Sequence, residues 1–376
     1  MKKLQMVDLK SQYEKIKEEV NASIQDVLEN NTYINGPLVH QFQADLEKYL
    51  GAKHVIPCAN GTDALQIAMM GLGLQPGDEV ITADFTFAAT VEVIALLQLT
   101  PVLVDVNMNN MNISLEGIRK AITPKTKAIV PVHLFGRAAN MDAIMEIANE
   151  HNLYVIEDNA QAIGSNYTDK NGKKSKVGTI GQVAATSFFP SKNLGCYGDG
   201  GAIFTNDDNL AHIIRGIVNH GMYERYHHDV VGVNSRLDSI QAGVLKAKLP
   251  NLDAYNLARK TAAKKYNEAL SVNSNIVVPS FDFNGDDHVF HQYVIRITNG
   301  KRDALLAHLQ EKGIPCAIYY PIPLHSQKAY ADIRYKEEDF PVTNQLCKEV
   351  IALPMHTELD DEQIKFITDT VLEFLK

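Results

Sequence analysis

From residue 54 to residue 205, short apolar runs rich in β-branched residues alternate with stretches of helical period, and that alternation most narrows what this chain can fold into. The runs lie at 54–57, 79–83, 101–106, 127–133, 153–157, 183–188 and 201–205, and each predicts a strand. Between them, 62–72, 86–98, 114–122 and 141–151 place apolar residues three and four apart, the stripe of a helix lying on a larger surface. Strands separated by helices return to one sheet in parallel. The predicted fold class is therefore α/β, with a seven-stranded, mainly parallel sheet covered by helices on both faces. Such sheets bind ligands outside the carboxyl ends of their strands. Turn signals at Gln75-Pro76-Gly77-Asp78 and Thr123-Pro124-Lys125 precede two of the runs.

The flanks are different in kind. Tyr13, Ile16, Val20, Ile24 and Val27 predict one amphipathic lead-in helix over 9–29. After Leu249-Pro250 come a long helical stretch near 251–270, a strand at 292–298, and helices near 301–312 and 361–375. The expected division is a large domain over 1–249, lead-in helix included, and a smaller C-terminal α+β domain over 250–376. No linker is rich enough in Gly, Ser or Pro to separate the two, so they are expected to share a surface.

Composition excludes several classes of function. Against 36 Lys and Arg stand 45 Asp and Glu, a net charge of −9, and no basic run could track a phosphate backbone. Nucleic acid is not an expected partner. No apolar stretch approaches the roughly 18 residues of a membrane span, and the start MKKLQMVDLKSQYEKIKEE turns polar too soon for a signal peptide, so a cytoplasmic protein is expected. Cys58, Cys196, Cys316 and Cys347 lie far apart without a Cys-x-x-Cys pair, which suggests neither a disulfide framework nor a zinc site. His227 and His228 adjoin Asp229 but have no third converging ligand, and no metal is expected.

Three stretches could carry chemistry. Asn60-Gly61-Thr62-Asp63-Ala64 follows the first strand and opens a helix, where free backbone N–H groups favour a phosphate, although Thr or Asp there is also an ordinary N-cap. Neither a P-loop lysine nor Gly-x-Gly-x-x-Gly is present. Glu157-Asp158 closes an apolar strand, so one of the two carboxylates should face the cleft; an Asp capping the next helix is the plainer reading. Ser187-Phe188-Phe189-Pro190-Ser191-Lys192 places a lone lysine between an aromatic strand end and a Gly-rich loop. Held in a cleft, its amine can bind an anion or condense with an aldehyde. The combination decides between these readings. A phosphate cradle, a carboxylate for a ring nitrogen and an amine for an aldehyde are the three handles that pyridoxal phosphate requires. Phe85 and Phe87 close another strand, where an aromatic either stacks on such a ring or fills the core.

Over nearly its whole length the chain resembles the DegT/DnrJ/EryC1/StrS family of pyridoxal-phosphate-dependent sugar aminotransferases. The motifs that carry the likeness are Tyr33-Ile34-Asn35-Gly36-Pro37, Ala59-Asn60-Gly61-Thr62-Asp63-Ala64-Leu65, Glu157-Asp158, Thr186 to Lys192, Gly198-Asp199-Gly200-Gly201-Ala202, Asn234-Ser235-Arg236-Leu237-Asp238 and Tyr320-Pro321-Ile322-Pro323-Leu324-His325. The resemblance implies fold type I, the aspartate aminotransferase architecture. It makes Lys192 the lysine joined to the cofactor aldehyde, Asp158 the partner of the ring nitrogen and Gln161 a neighbour of the ring hydroxyl. Gly61, Thr62 and Ser187 fall on phosphate-binding positions and Phe87 on the stacking position. Asn234 would reach the phosphate from the other subunit and Arg236 would lie near substrate, which implies a homodimer with shared active sites. Relatives that dehydrate carry His where this chain has Lys192, which favours transamination with a donor such as glutamate over a sugar dehydratase. A non-catalytic regulator on the same fold is the reading from another class. The stretches 186–206, 225–228 and 232–238 look most like the branch that aminates C3 of UDP-2-acetamido-2-deoxy-3-oxo-glucuronate for cell-surface polysaccharide such as O-antigen. That branch has His-Tyr-Pro where this chain has Tyr319-Tyr320-Pro321, which leaves dTDP-3-keto-6-deoxyhexoses open. Tyr319, Tyr320 and His325 are the remaining candidate substrate contacts.

Overall fold

The computed structural model describes residues 3–376. Seven strands, β1 (His54–Cys58), β2 (Glu79–Ala83), β3 (Thr100–Val104), β4 (Thr126–Val130), β5 (Tyr154–Asp158), β6 (Val183–Ser187) and β7 (Gly201–Thr205), form one sheet in the order β1-β7-β6-β5-β4-β2-β3. Six run in one direction; β7 is antiparallel to both its neighbours. The run expected at 127–133 leaves the sheet at Val130. Beyond it, Val132 bridges Asp158 and the His133 N–H donates to the Asp158 carbonyl at 3.1 Å, so His133 stands beside the end of β5.

Successive residues of a strand point to opposite faces, and here both faces are apolar. Val80, Ala128 and Ile156 pack with Ile67, Val93 and Ile214 on one side. Their chain neighbours Ile81, Ile129 and Val155 pack with Ile118, Ile144 and Ile147 on the other. This is the pattern of a sheet buried between two helical layers.

The single lead-in helix expected over 9–29 is two helices, α1 (Leu9–Lys15) and α2 (Lys17–Asn30), broken at Ile16 (φ −126°, ψ 20°). The break lets Ile16 and Val20 bury together against Val244. A third helix, α3 (Pro37–Leu50), was not anticipated, although its signals were present: Pro37 at the first turn, a left-handed Gly51 at the end, and Leu38, Phe42, Leu46 and Leu50 four apart. The helices α4 (Gly61–Gly71), α5 (Ala89–Leu96), α6 (Leu115–Ala121), α7 (Met141–His151), α8 (Asp208–Ile217) and α9 (Ser239–Lys248) complete the layers. Helix α5 starts at Ala89 instead of 86, which leaves Asp84 to Ala88 as a loop at the carboxyl end of β2.

Helix α10 (Leu252–Leu270) leads to a three-stranded antiparallel sheet of β8 (Ile276–Val277), β9 (Tyr293–Ile297) and β10 (Val350–Leu353). With α11 (Arg302–Glu311), α12 (Pro341–Glu349) and α13 (Asp361–Leu375) it encloses a core of Tyr266, Tyr293, Leu305 and Ile367. Leu4, at the other end of the chain, is buried in that core. Val294, Leu346 and Val350 join the cluster beneath the large sheet, so the two parts share apolar surface. Among the described residues no helix is long and apolar enough to cross a membrane.

Candidate active site

The two carboxylates that end β5 have opposite surroundings because they lie on opposite faces of the strand. Glu157 is fully buried and accepts four hydrogen bonds, from His133 Nε2 at 2.9 Å and from the amides of Gly178, Ile180 and Gly181 at 2.6–2.7 Å. Burial would push it up, but His133 and these amides hold it below the ordinary glutamate value. His133 Nδ1 accepts from the Ala139 N–H at 3.0 Å, so Nε2 carries the proton that Glu157 receives. Glu157 thus anchors the loop after β5.

Asp158 is also buried but has fewer donors. The Thr90 hydroxyl donates to Oδ2 at 2.8 Å and the Ala160 N–H to Oδ1 at 3.1 Å. Burial pushes its carboxyl up, against these two bonds and the charge of Lys192. Such a carboxylate lacks compensating positive charge, and a protonated ring nitrogen would supply it.

Lys192 sits on a loop that closes tightly on itself. The Phe188 N–H donates to the Gly200 carbonyl at 2.7 Å, the Cys196 N–H to Phe188 at 2.8 Å, and the Lys192 N–H to Phe189 at 2.8 Å. Beside it, Asn193 Nδ2 donates to Asn256 Oδ1 at 2.7 Å and to the Val289 carbonyl at 2.9 Å, and the buried Lys248 amine holds the Gly195 carbonyl at 2.7 Å. The backbone around Lys192 is pinned on three sides. Its own amine makes no hydrogen bond or ion pair among the described residues. Burial pushes that amine down to about 8, with Asp158 pulling the other way.

The anion cradle is formed where α4 begins. Asn60 is the N-cap, its Oδ1 accepting from the Asp63 N–H at 2.8 Å, which leaves the Thr62 hydroxyl and the amides of Gly61 and Thr62 uncommitted among the described residues. The expectation of a Thr or Asp cap is thereby replaced by Asn60. Gly61 is pressed on Ser187 at the end of β6, and a Cβ at position 61 would lie 2.6 Å from Ser187 Cβ. Gly61, Thr62 and Ser187 therefore meet at one point.

Aromatic rings wall the cleft. Phe85 is buried against Phe135 and Tyr320, whereas Phe87 is 57% exposed, with its ring 6.4 Å from that of Tyr320. Tyr320 accepts from Gln161 Nε2 at 3.1 Å, and Gln161 Oε1 accepts from the Phe135 N–H at 2.7 Å, so Gln161 joins the 319–320 segment to the sheet. Tyr319 lines a neighbouring cavity of about 210 Å³ with Ser191 and His291. His325 is buried, with Nδ1 at 2.7 Å from Asp84 Oδ2 and its N–H at 2.7 Å from Oδ1. Its ring lies on Phe340, so here it ties the 319–326 strap to the end of β2.

Two candidates flank Ser235, whose hydroxyl accepts from the Ala59 N–H at 3.1 Å beside the Asn60 cap. Asn234 is exposed and bridges Asn219, and Arg236 Nη1 donates to Asn219 Oδ1 at 3.2 Å. Neither makes a hydrogen bond or ring contact with Lys192, Asp158 or Tyr320 among the described residues. Sequence reasoning missed Asp84 and His133, although both lie just past the carboxyl end of a strand, the position that singled out Asp158. It also missed Thr90 and His291, for which no local signal exists: one is inside a helix, the other beside the smaller sheet.

These residues fit pyridoxal phosphate: a half-buried amine without a hydrogen-bond partner, a carboxylate short of positive charge, and bare amides at a helix start against a serine. Comparison with known proteins agrees. The chain is 47% identical over 364 residues to UDP-2-acetamido-2-deoxy-3-oxo-D-glucuronate aminotransferase of Pseudomonas aeruginosa, covering 97% of this chain and 98% of that protein. It is 46% identical over 373 residues to the pleiotropic regulatory protein of Geobacillus stearothermophilus, covering 99% and 98%. The crystal structure of NtdA from Bacillus subtilis with bound cofactor PMP superposes with a TM-score of 0.89 at 30% identity, covering 96% of this chain and 82% of that one. With residues 14–372 matching the family's sequence pattern as well, the chain belongs to the DegT/DnrJ/EryC1/StrS aminotransferase family.

Proposed function

We propose that this aminotransferase uses pyridoxal phosphate to place an amino group on C3 of a nucleotide-linked 3-keto sugar, with glutamate as donor. The observation that carries the reading is the opposition of the unpartnered Lys192 amine to the undercompensated Asp158 carboxylate. Gly61, Thr62 and Ser187 would hold the phosphate, Asp158 the ring nitrogen, Gln161 the ring hydroxyl, and Phe87 one face of the ring. Bound there, the cofactor supplies the electron sink for proton loss at the amine-bearing carbon. With its pKa near 8, Lys192 is a free base in roughly one molecule in ten at pH 7, against about one in three thousand for an ordinary lysine. Lys192 Nζ therefore can take a proton as general base and return it as general acid near neutral pH.

The relative from Pseudomonas aeruginosa supports a UDP-linked 3-oxo-uronate as acceptor. Tyr319 favours a second reading, a dTDP-linked 3-keto-6-deoxyhexose, because it replaces the His of the uronate branch with a phenol. Tyr319, Tyr320 and, through the strap it anchors, His325 would shape the sugar site. Asn234 and Arg236 make no hydrogen bond to their own Lys192 or Asp158 among the described residues, and Tyr226 and Val231 nearby are 76% and 85% exposed. Both features support a homodimer in which each copy completes the other's site. Synthesis of a surface polysaccharide in the cytoplasm is the setting that fits such a substrate.

Holoenzyme mixed with glutamate tests the reading: it should lose the visible band of its cofactor and release 2-oxoglutarate. Adding UDP-linked or dTDP-linked 3-keto sugar should restore the band with one of the two. Failure of the first step sinks transamination from glutamate, and inactivity toward both sugars sinks the C3 assignment. A protein that serves only as a regulator would bind the cofactor and do neither.

A further inference from the structure

Behind Lys192 the structure carries buried positive charge with no anion to meet it. Arg259 is 2% exposed, and its Nη1 donates only to the carbonyls of Phe290, His291 and Met355, at 3.1–3.3 Å. Its Nε has no hydrogen-bond partner, and no carboxylate lies within ion-pair reach among the described residues. A buried charge without a counter-ion is expensive to keep, yet this guanidinium stays protonated, since burial brings it down only to about 10.

The cavity of about 210 Å³ is lined by His291 and Met355, two of the residues whose carbonyls Arg259 holds. It is many times the 10–15 Å³ that one water needs, and so admits a group of several heavy atoms. Ser191, the neighbour of Lys192, opens one side; Met6 and Met355 are apolar walls. The polar wall is His291 and Gln292. His291 is 7% exposed and its Nδ1 has no hydrogen-bond partner; Gln292 Oε1 has none either. Buried polar atoms in native structures are nearly always satisfied, so an unsatisfied pair lining one cavity marks a place for a polar ligand. Burial, with the charges of Lys192 and Arg259 behind it, keeps His291 neutral at pH 7, one ring nitrogen donating and the other accepting. The ligand these surroundings suit is small and anionic: it would be drawn by Lys192 and Arg259, whose charges reach His291, and hydrogen-bonded by His291, by the Ser191 hydroxyl and by Gln292 with its side-chain amide turned so that Nε2, not the unpaired Oε1, faces the ligand.

We propose that this cavity is a carboxylate subsite of the active site, with His291 as its central contact. The inference rests on the aminotransferase reading above and deepens it, because the carboxylate can come from either of the two substrates. An amino-acid donor carries one, and so does a uronic acid.

The test measures dissociation constants on holoenzyme by calorimetry for three probes, glutarate, UDP-glucuronate and UDP-glucose, with wild type, His291→Leu and Gln292→Glu. If the donor uses the subsite, both substitutions weaken glutarate at least tenfold. If the uronate uses it, they weaken UDP-glucuronate at least tenfold more than UDP-glucose. Equal affinities in wild type and variants for all three probes, or equal weakening of all three, overturn the proposal. Should His291→Leu not fold, Gln292→Glu decides alone, since it puts a negative charge on the cavity wall. The two failures are separable: loss of the visible band on adding glutamate to wild type reports the aminotransferase reading, whatever the probes do.

Discussion

Glu157 and Asp158 are adjacent, of similar chemistry and equally buried, yet removing the charge from each should have opposite consequences. In Glu157→Gln one of the two oxygens becomes an NH2 group. On either side that group then faces two donors, His133 Nε2 and the Gly178 N–H, or the Ile180 and Gly181 N–H groups. Each buried donor left unsatisfied costs roughly 1–3 kcal/mol, so the substitution should destabilise by about 2–6 kcal/mol. The effect has a pH signature. Glu157 titrates below its ordinary value near 4.5 when folded, so its contribution is fully present above that pH and is lost as pH falls through the lower folded value. Glu157→Gln should therefore lower the urea midpoint at pH 7 and flatten the acid limb of stability against pH. In Asp158→Asn, by contrast, the Ala160 N–H keeps its acceptor and the Thr90 hydroxyl can turn to accept from the new amide, so stability should change by less than about 1 kcal/mol. The rate of the glutamate half-reaction should nonetheless fall about a hundred- to a thousand-fold, the loss typical of one preorganised electrostatic partner. Stopped-flow absorbance and urea titration on the two variants measure both effects. If Glu157→Gln unfolds within 1 kcal/mol of wild type, or Asp158→Asn keeps the wild-type rate, the division of labour argued from strand alternation is wrong.

Lys192→Ala should abolish the visible band and turnover together, and a variant that kept either would remove the lysine from the chemistry. In wild type, capture of free pyridoxal phosphate by cofactor-free protein should quicken as pH rises through about 8, where the Lys192 amine loses its proton, and Asp158→Asn should move that midpoint lower by removing an attractive charge; a rate independent of pH would contradict the depressed amine. Gly61→Ala has no room for its methyl against Ser187, so it should weaken cofactor binding at least tenfold, measured by dialysis and absorbance. Tyr320→Phe removes one hydrogen bond to Gln161, worth about 0.5–1.5 kcal/mol, and should raise the acceptor KM by no more than about tenfold in steady-state kinetics.

Much of this protein is written locally in its sequence. The seven strands and the helices between them are legible because burial of a sheet on both faces demands continuous apolar runs, and a helix on a surface demands a stripe. The three handles of the site are legible for a related reason: strand ends and helix starts expose uncommitted backbone and side-chain groups. Lys192, Asp158 and the 60–64 turn can therefore be picked out before any contact is known. What the sequence leaves open depends on direction and on distance along the chain. Strand β7 has the composition of its parallel neighbours, and only its pairing with β1 and β6 makes it antiparallel. The break at Ile16 lets it pack on Val244, a residue more than two hundred positions further along the chain. Which of two adjacent carboxylates binds loop amides, and which is left short of positive charge beside Lys192, is decided by residues from four separate segments: Thr90, His133, 178–181 and 192. His291 reaches the same cleft from the smaller part of the chain, with Arg259 held behind it on its carbonyl. Local spacing cannot encode such encounters, since they arise only when the apolar surfaces on which those segments ride have been packed together.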